Sequence, residues 1–288
     1  MKHHNILLAG ATGYLGGYLL QALIEEKYNI RAIVRNPSKL QKFHKSDLDI
    51  KQAEVTKPET LQGLFKDVDT VISTVGITRQ KDGLTYMDVD YQANINLLNE
   101  AKHSGVKRFI YVSAINGDKY RHLKIFEAKE KFVDALKSSG LEYTIVRPNG
   151  FFSDMKDFLQ MAKSGRVYLF GSGNQKFNPI HGEDLARAIV DSLDNTNKEL
   201  TIGGPDIFSL NDISKLAFSA LNKPIKITHL PDCLRKLTIW SLRTFTSVKT
   251  YGPIEFFLTL MAEDNIAPTN GKHHLKDFYF QEVIKQTQ

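Results

Sequence analysis

Residues 10–16 read Gly-Ala-Thr-Gly-Tyr-Leu-Gly. They sit between an apolar run, Asn5–Ala9, and a stretch with helical periodicity, Tyr14–Glu26, whose apolar positions are Leu15, Tyr18, Leu19, Ala22 and Leu23. No other feature constrains the fold as much. Gly10 permits a tight turn out of the strand. Gly13 leaves no side chain where a ligand must approach the backbone. Gly16 lets the helix lie against the strand. A helix that starts there presents free N–H groups and the positive end of its dipole to an anion. In this strand–turn–helix setting the triplet predicts a dinucleotide site. The alternative is a glycine-rich turn without a ligand.

The rest of the first half continues the alternation. Strands are expected at Ile30–Val34, Asp49–Glu54, Thr70–Val75, Arg108–Ser113 and Tyr143–Arg147. Helices are expected from Pro58 to about Phe65, over Tyr91–Ser104 and over Phe126–Ser138, the last two stopped by Gly105 and Gly140. Apolar strands that alternate with helices imply a parallel sheet covered on both faces. The expected fold class is α/β, a Rossmann-type doubly wound parallel sheet with a smaller C-terminal substrate lobe. The boundary is placed at residue 150, with residues 151–288 packed on the core and adding sheet and helix elements of their own. Helices are expected there at Glu183–Leu193, Asn211–Leu221 and Cys233–Val248.

Composition excludes several classes. With 42% hydrophobic and 24% charged residues in 288, the chain can bury a core without staples. A single cysteine, Cys233, rules out an intrachain disulfide and a thiolate cluster. The N-terminal segment has no signal-peptide pattern and no run is apolar enough to span a bilayer, so the expected location is cytoplasmic. The formal charge of +6 lies mostly in residues 1–150, which carry 22 basic and 17 acidic side chains. The basic residues are not interleaved with aromatics, so no nucleic-acid partner is expected. The excess is either scattered surface charge or support for an anionic ligand.

The end of the second strand bears on which ligand. A carboxylate there would bond the ribose hydroxyls of NAD, and a basic residue suits the additional phosphate of NADP. The chain has Arg35, then Asn36-Pro37-Ser38-Lys39, with no carboxylate between Arg31 and Gln41. An arginine fork and a nearby ammonium favour NADP(H). The competing reading is a solvated arginine at a strand end.

These residues, with Tyr111-Val112-Ser113-Ala114, Ile145-Val146-Arg147-Pro148-Asn149, Asn178-Pro179-Ile180, Glu183-Asp184-Leu185-Ala186 and Ile202-Gly203-Gly204-Pro205, resemble the atypical short-chain dehydrogenase/reductase superfamily. Within it the chain looks like the NmrA-like and divinyl chlorophyllide reductase-like branch, over nearly its whole length. The resemblance implies cofactor contacts at Gly10, Thr12, Gly13, Tyr14, Leu15 and Gly16, and at Arg35 and Lys39. It implies others at Glu54 and Val55, where the family usually has Asp-Val, and at Thr74, Val75 and Gly76 after the fourth strand. It also implies that Ser113, Pro148 and Asn149 border the nicotinamide.

The superfamily is known for a Tyr-x-x-x-Lys pair. The literal match, Tyr120 with Lys124, precedes the helical pattern. Alignment on Phe126-Glu127-Ala128-Lys129 instead puts the family lysine at Lys129 and Ile125 at the tyrosine position. Lys129 lies on the apolar stripe of its helix with Val133 and Phe132, where a charge needs a partner. Lys129 and Ser113 are thus the catalytic candidates. The other reading of Lys129 is a stem laid along the core with its head in water. Without the phenol, carbonyl chemistry lacks its usual proton mover, whereas reduction of an activated C=C bond can take a proton from elsewhere. Two functions remain open: an NADPH-dependent reductase of a small hydrophobic or planar substrate, or a non-catalytic NADP(H)-binding sensor, regulator or assembly factor.

No metal site is expected, because the adjacent pairs His3-His4 and His273-His274 do not converge readily on one ion. His181 is read as orienting the helix that follows it, with Asp184 as a buttress. The basic amphipathic segment 233–249 is read as a cover on the substrate lobe. Contact with an anionic membrane is the less favoured alternative.

Overall fold

The computed structural model describes residues 5–41, 43, 48–78, 83–194 and 198–287; His3 and His4 lie outside them. The alternation read from the first half is present. It runs β1 (Asn5–Ala9), α1 (Tyr14–Glu25), β2 (Asn29–Val34), β3 (Leu48–Gln52), β4 (Thr70–Ser73), α2 (Ala93–His103), β5 (Arg108–Val112), α3 (Lys124–Lys137) and β6 (Glu142–Pro148). The second half continues with α4 (Lys156–Lys163), β7 (Val167–Phe170), β8 (Lys176–Phe177), α5 (Gly182–Asp191), β9 (Lys198–Ile202), β10 (Phe208–Ser209), α6 (Leu210–Ala220), β11 (Ile227–Leu230), α7 (Asp232–Phe245), α8 (Val248–Leu260) and α9 (Leu275–Thr287).

Seven strands form one sheet in the order β3-β2-β1-β4-β5-β6-β9. The pairs from β3 through β6 are parallel, with Ile6 opposite both Ile30 and Thr70. The winding reverses between β1 and β4, which is the crevice where such sheets bind ligands. Strands β1 and β4 are buried, as expected of strands whose two faces are both covered. The Rossmann-type parallel sheet expected from the sequence is therefore the observed fold.

The chain divides into two units, Met1–Arg147 with Leu185–Leu200, and Pro148–Asp184 with Thr201–Gln288. The core of the first includes Leu7, Val71, Phe109, Phe132 and Leu136. The second is built on Phe152, Phe158, Val167, Ile213, Phe218 and Tyr279. Its strands pair two by two, β7 with β11 in parallel and β8 with β10 antiparallel.

Two expectations need correction. The helix from Pro58 stops as a 3-10 turn at Leu61, because Gly63 turns left-handed at φ +73° and its N–H bonds to Glu100. Cys233–Val248 is not one helix but α7 and the start of α8, with Thr246 extended between them. A cover on the lobe would bury an apolar face, yet α7 has no buried residue.

An ion pair that periodicity did not reveal ties α3 to β6. Glu130 is fully buried and receives two hydrogen bonds from Arg147, at 2.6 and 2.8 Å. The same guanidinium reaches Glu199 and the Ala114 carbonyl. Removing one partner of such a pair strands a buried charge. Glu130→Ala is expected to lower unfolding stability in urea by about 3–5 kcal/mol. Removing the exposed Arg121 from its pairs with Asp118 and Asp134 is expected to cost no more than about 1 kcal/mol.

Candidate functional site

Gly10 leaves β1 with φ +91°, a backbone state that other residues rarely adopt. A Cβ on Gly16 would overlap the carbonyl oxygen of Gly10, so packing alone demands that glycine. Gly13 is different. A Cβ there would meet only the Gly10 carbonyl oxygen, at 3.3 Å. Gly13 instead lines a cleft of about 430 Å³ with Thr12, Tyr14, Tyr18, Lys39 and Phe43. It is the N-cap of α1, no side chain caps it, and no acidic residue occupies the first turn. A helix start left open in this way suits an anion. Thr12 and Gly13 are exposed in the cleft, whereas Leu15 turns its side chain into the core.

Beside the cleft, Asn36 caps the short turn Pro37–Leu40 by accepting from the Ser38 N–H at 3.0 Å. That turn carries Lys39 into the cleft lining. Arg35 is exposed at the end of β2, outside the lining, and its charge helps hold Glu54 below the usual carboxylate range. The larger cause of that lowering is the hydrogen bond from Lys57, at 2.7 Å, followed by the one from Thr56. The Glu54 carboxylate is thus engaged locally. The carbonyl of Val55 accepts from Asn96 at 3.0 Å.

The end of β4 carries the densest chemistry. The Thr74 hydroxyl donates to the Ala9 carbonyl at 3.2 Å and Val75 is buried. Gly76 passes over a buried ion pair: a Cβ there would lie 2.7 Å from Asp90 Oδ1 and 2.8 Å from Lys129 Nζ. These two atoms are 2.7 Å apart, and the side chains are 0% and 12% exposed. Burial opposes the Lys129 charge, but the Asp90 carboxylate outweighs it and holds the ammonium above its ordinary range. Burial likewise pushes the Asp90 carboxyl up against the pull of Lys129. Asp90 also accepts from the Ile77 N–H at 3.2 Å.

Asp90 faces inward because Met87–Gln92 winds as a π-helical turn before α2. Such insertions occur often at functional sites, and a search for 3.6-residue periodicity does not register them. A phenol does stand near Lys129, but it comes from β5. The Tyr111 ring centroid is 5.8 Å from Nζ, and the residue is fully buried against Phe132. Burial raises the Tyr111 hydroxyl above its ordinary pKa.

The other candidates are placed as follows. Ser113 donates its hydroxyl to Glu130 at 3.1 Å, inside the buried pair with Arg147. Ile125 is buried at the position of the missing tyrosine. Tyr120 stacks on Phe126 in the core, and Lys124 pairs with Glu127 on the surface. In the second unit, Pro148 ends β6 and Asn149 is buried, donating to Asn178 at 2.8 Å and to the Asn265 carbonyl at 2.6 Å. His181 accepts from the Glu183 N–H at 3.3 Å, an orienting bond at the start of α5. Asp184 accepts from the backbone of Lys272 and His273 and from the His273 ring. One of the adjacent histidines therefore does converge with other ligand types. His181, Glu183 and His273 bring ligand atoms within 4.8 Å of one another, beside the Asp184 bonds that fasten residues 272 and 273 to the first turn of α5.

A parallel sheet in this order, with an open helix end at its crevice, defines a nucleotide-binding Rossmann protein. The chain belongs to the NAD(P)H-binding family, which it matches over residues 10–196. It is 27% identical over 326 residues to the chloroplastic divinyl chlorophyllide a 8-vinyl-reductase of Arabidopsis thaliana, covering 99% of this chain and 78% of that one. It is 26% identical over 232 residues to the photosystem II assembly factor Ycf39 of Guillardia theta, covering 79% and 73%. Among solved structures it resembles an NADPH-dependent quinone oxidoreductase from Escherichia coli complexed with NADPH, with TM-score 0.72, 18% identity and coverage of 98% and 100%. Among the described residues, no helix is long and apolar enough to cross a membrane.

Breaking the Asp90–Lys129 pair tests its coupling. Asp90→Asn is expected to cost about 3 kcal/mol in denaturant titrations, because the ammonium loses its partner in a buried site. The double variant with Lys129→Met is expected to lose less than the sum of the two single losses. Additive losses would show that the two groups do not interact.

Proposed function

We propose that the chain is an NADPH-dependent reductase acting on a C=C bond in a small planar or hydrophobic acceptor. The observation that carries this is the Lys129–Asp90 pair beneath Gly76, at the carboxyl end of β4 beside the sheet's crevice. A buried charge pair costs desolvation and is weak evidence of stability, so its presence at the crevice favours a chemical role.

The residues fit the cofactor. In this reading the open start of α1 takes the pyrophosphate along Thr12, Gly13 and the following backbone amides. Arg35 and Lys39 take the additional phosphate, Glu54 and Val55 flank the adenine, and Thr74, Val75 and Gly76 border the ribose. When bound, the reduced nicotinamide supplies a hydride. Lys129 Nζ has three donors, and Asp90 and Tyr111 stand beside it. A donor turned away from them would hold a ribose hydroxyl and order a water, and that water would supply the proton to the alkene carbon that does not take the hydride. Asp90 keeps the ammonium charged and aimed. Tyr111 is too buried to touch an acceptor. The Ser113 hydroxyl is engaged by Glu130, so its part is to hold the end of β5, with its catalytic role dependent on exchange of that bond. Within the second unit, Asn149 is fixed by Asn178 and the Asn265 carbonyl.

The relative named as a vinyl reductase supports C=C reduction as the class. The relative named as an assembly factor, together with Ile125 in place of a catalytic phenol, supports the second reading, an NADP(H)-binding protein without turnover.

Two experiments decide. NADPH is expected to bind at least about tenfold more tightly than NADH, with Arg35→Ala or Lys39→Ala closing most of the gap, since a charge-assisted phosphate contact is worth about that much. Equal affinities in the unaltered protein would refute the assignment of Arg35. Incubation with NADPH and a panel of enones, quinones and divinyl porphyrins is expected to show acceptor-dependent loss of absorbance from the reduced nicotinamide. Lys129→Met is expected to slow it by about a hundredfold. NADPH binding without oxidation by any acceptor would favour the second reading.

A further inference from the structure

Helix α7 turns an apolar face outward. Leu234 is 40% exposed, Leu237 53%, Trp240 60% and Phe245 77%, and no residue of the helix is buried. The Trp240 and Phe245 rings meet edge to face with centroids 6.4 Å apart, so they share that face. The opposite side is occupied. There α7 packs along α8, with Arg235 reaching the Leu258 carbonyl and Arg243 paired with the buried Glu255. The outward face is therefore not a core surface awaiting α8.

Its border is basic. Lys236 lies one turn before Trp240. Lys249 follows, exposed, in the first turn of α8. Residues 232–249 hold Arg235, Lys236, Arg243 and Lys249 against one acid, Asp232, and with Arg235 turned to Asp232 and Arg243 to Glu255 the border's excess charge rests on Lys236 and Lys249. A second copy docked face to face would bring these cations together. A surface of phosphates would be attracted to them. Tryptophan, phenylalanine and leucine beside lysine and arginine, on a helix that does not span, is the pattern of an interfacial helix.

We propose that α7 lies on an anionic phospholipid bilayer, with Leu234, Leu237, Trp240 and Phe245 in the headgroup region and Lys236 and Lys249 on the lipid phosphates. This contact is independent of the reductase reading.

Trp240 is the only tryptophan in the chain, so intrinsic emission reports on this face directly. The full chain is mixed with vesicles of phosphatidylcholine and phosphatidylglycerol, or of phosphatidylcholine alone, and followed by emission and flotation. A blue shift and co-flotation with the anionic vesicles are expected. Leu237→Glu should abolish both, and joint Lys236→Glu and Lys249→Glu should weaken binding by about tenfold or more. Both positions are exposed, and NADPH affinity read in parallel reports that the variants remain folded. Equal binding to the neutral vesicles would overturn the anionic assignment. No shift and no flotation would overturn the membrane contact. A blue shift that grows with protein concentration without vesicles, accompanied by larger species in sedimentation, would assign the face to a second copy instead.

Discussion

The chain can pass from β1 into α1 only because Gly16 lets the helix start against the Gly10 carbonyl. That close approach directs the uncapped end of α1 at the crevice between β1 and β4. The cleft beside it follows, because Gly13 adds no side chain there and the turn after β2 delivers Lys39. A bulkier residue at 16 would have to push the helix away, and the aim of its amides would go with it.

The second organising constraint is the cost of burying charge. Among the described residues of the first unit, two such pairs stand out. Glu130 and Arg147 have their hydrogen-bonding capacity consumed by each other and by Glu199, Ala114 and Ser113, which makes them a fastening between α3 and β6. Asp90 and Lys129 are less completely enclosed: Lys129 keeps some exposure, and the covering backbone at Gly76 has no side chain. Neighbouring positions of one helix, 129 and 130, thus carry opposite charges into different environments. Glu130 stabilises the scaffold, and Lys129 faces the end of β4.

The fold was legible because its signals are local and repeated. Apolar runs marked β1, β2, β4 and β5, with Gly10 and Gly76 closing the first and third of them, and the glycine turn marked the crevice. Lys129 was legible as a charge on an apolar stripe. Asp90 was not, since its inward aim depends on a π-helical turn that a regular helix would have rotated away. The Glu130–Arg147 pair left no periodic trace, because it joins a helix to the strand after it across 17 residues. In the second unit β8 and β10 are two-residue strands, too short to show alternation, and α4 is only eight residues long. Segment 233–249 was legible as amphipathic and basic, but whether its apolar side faced inward required the structure.

The central claim is that the dinucleotide lies across the start of α1 and the end of β4, where Gly76 covers the Asp90–Lys129 pair. Titrating NADPH into isotope-labelled protein and following backbone amide resonances measures this directly. The account predicts that the amides of Thr12, Gly13, Gly76 and Ile77 shift together along one saturating curve. Saturation with those four amides unmoved, and the shifts elsewhere, would contradict it.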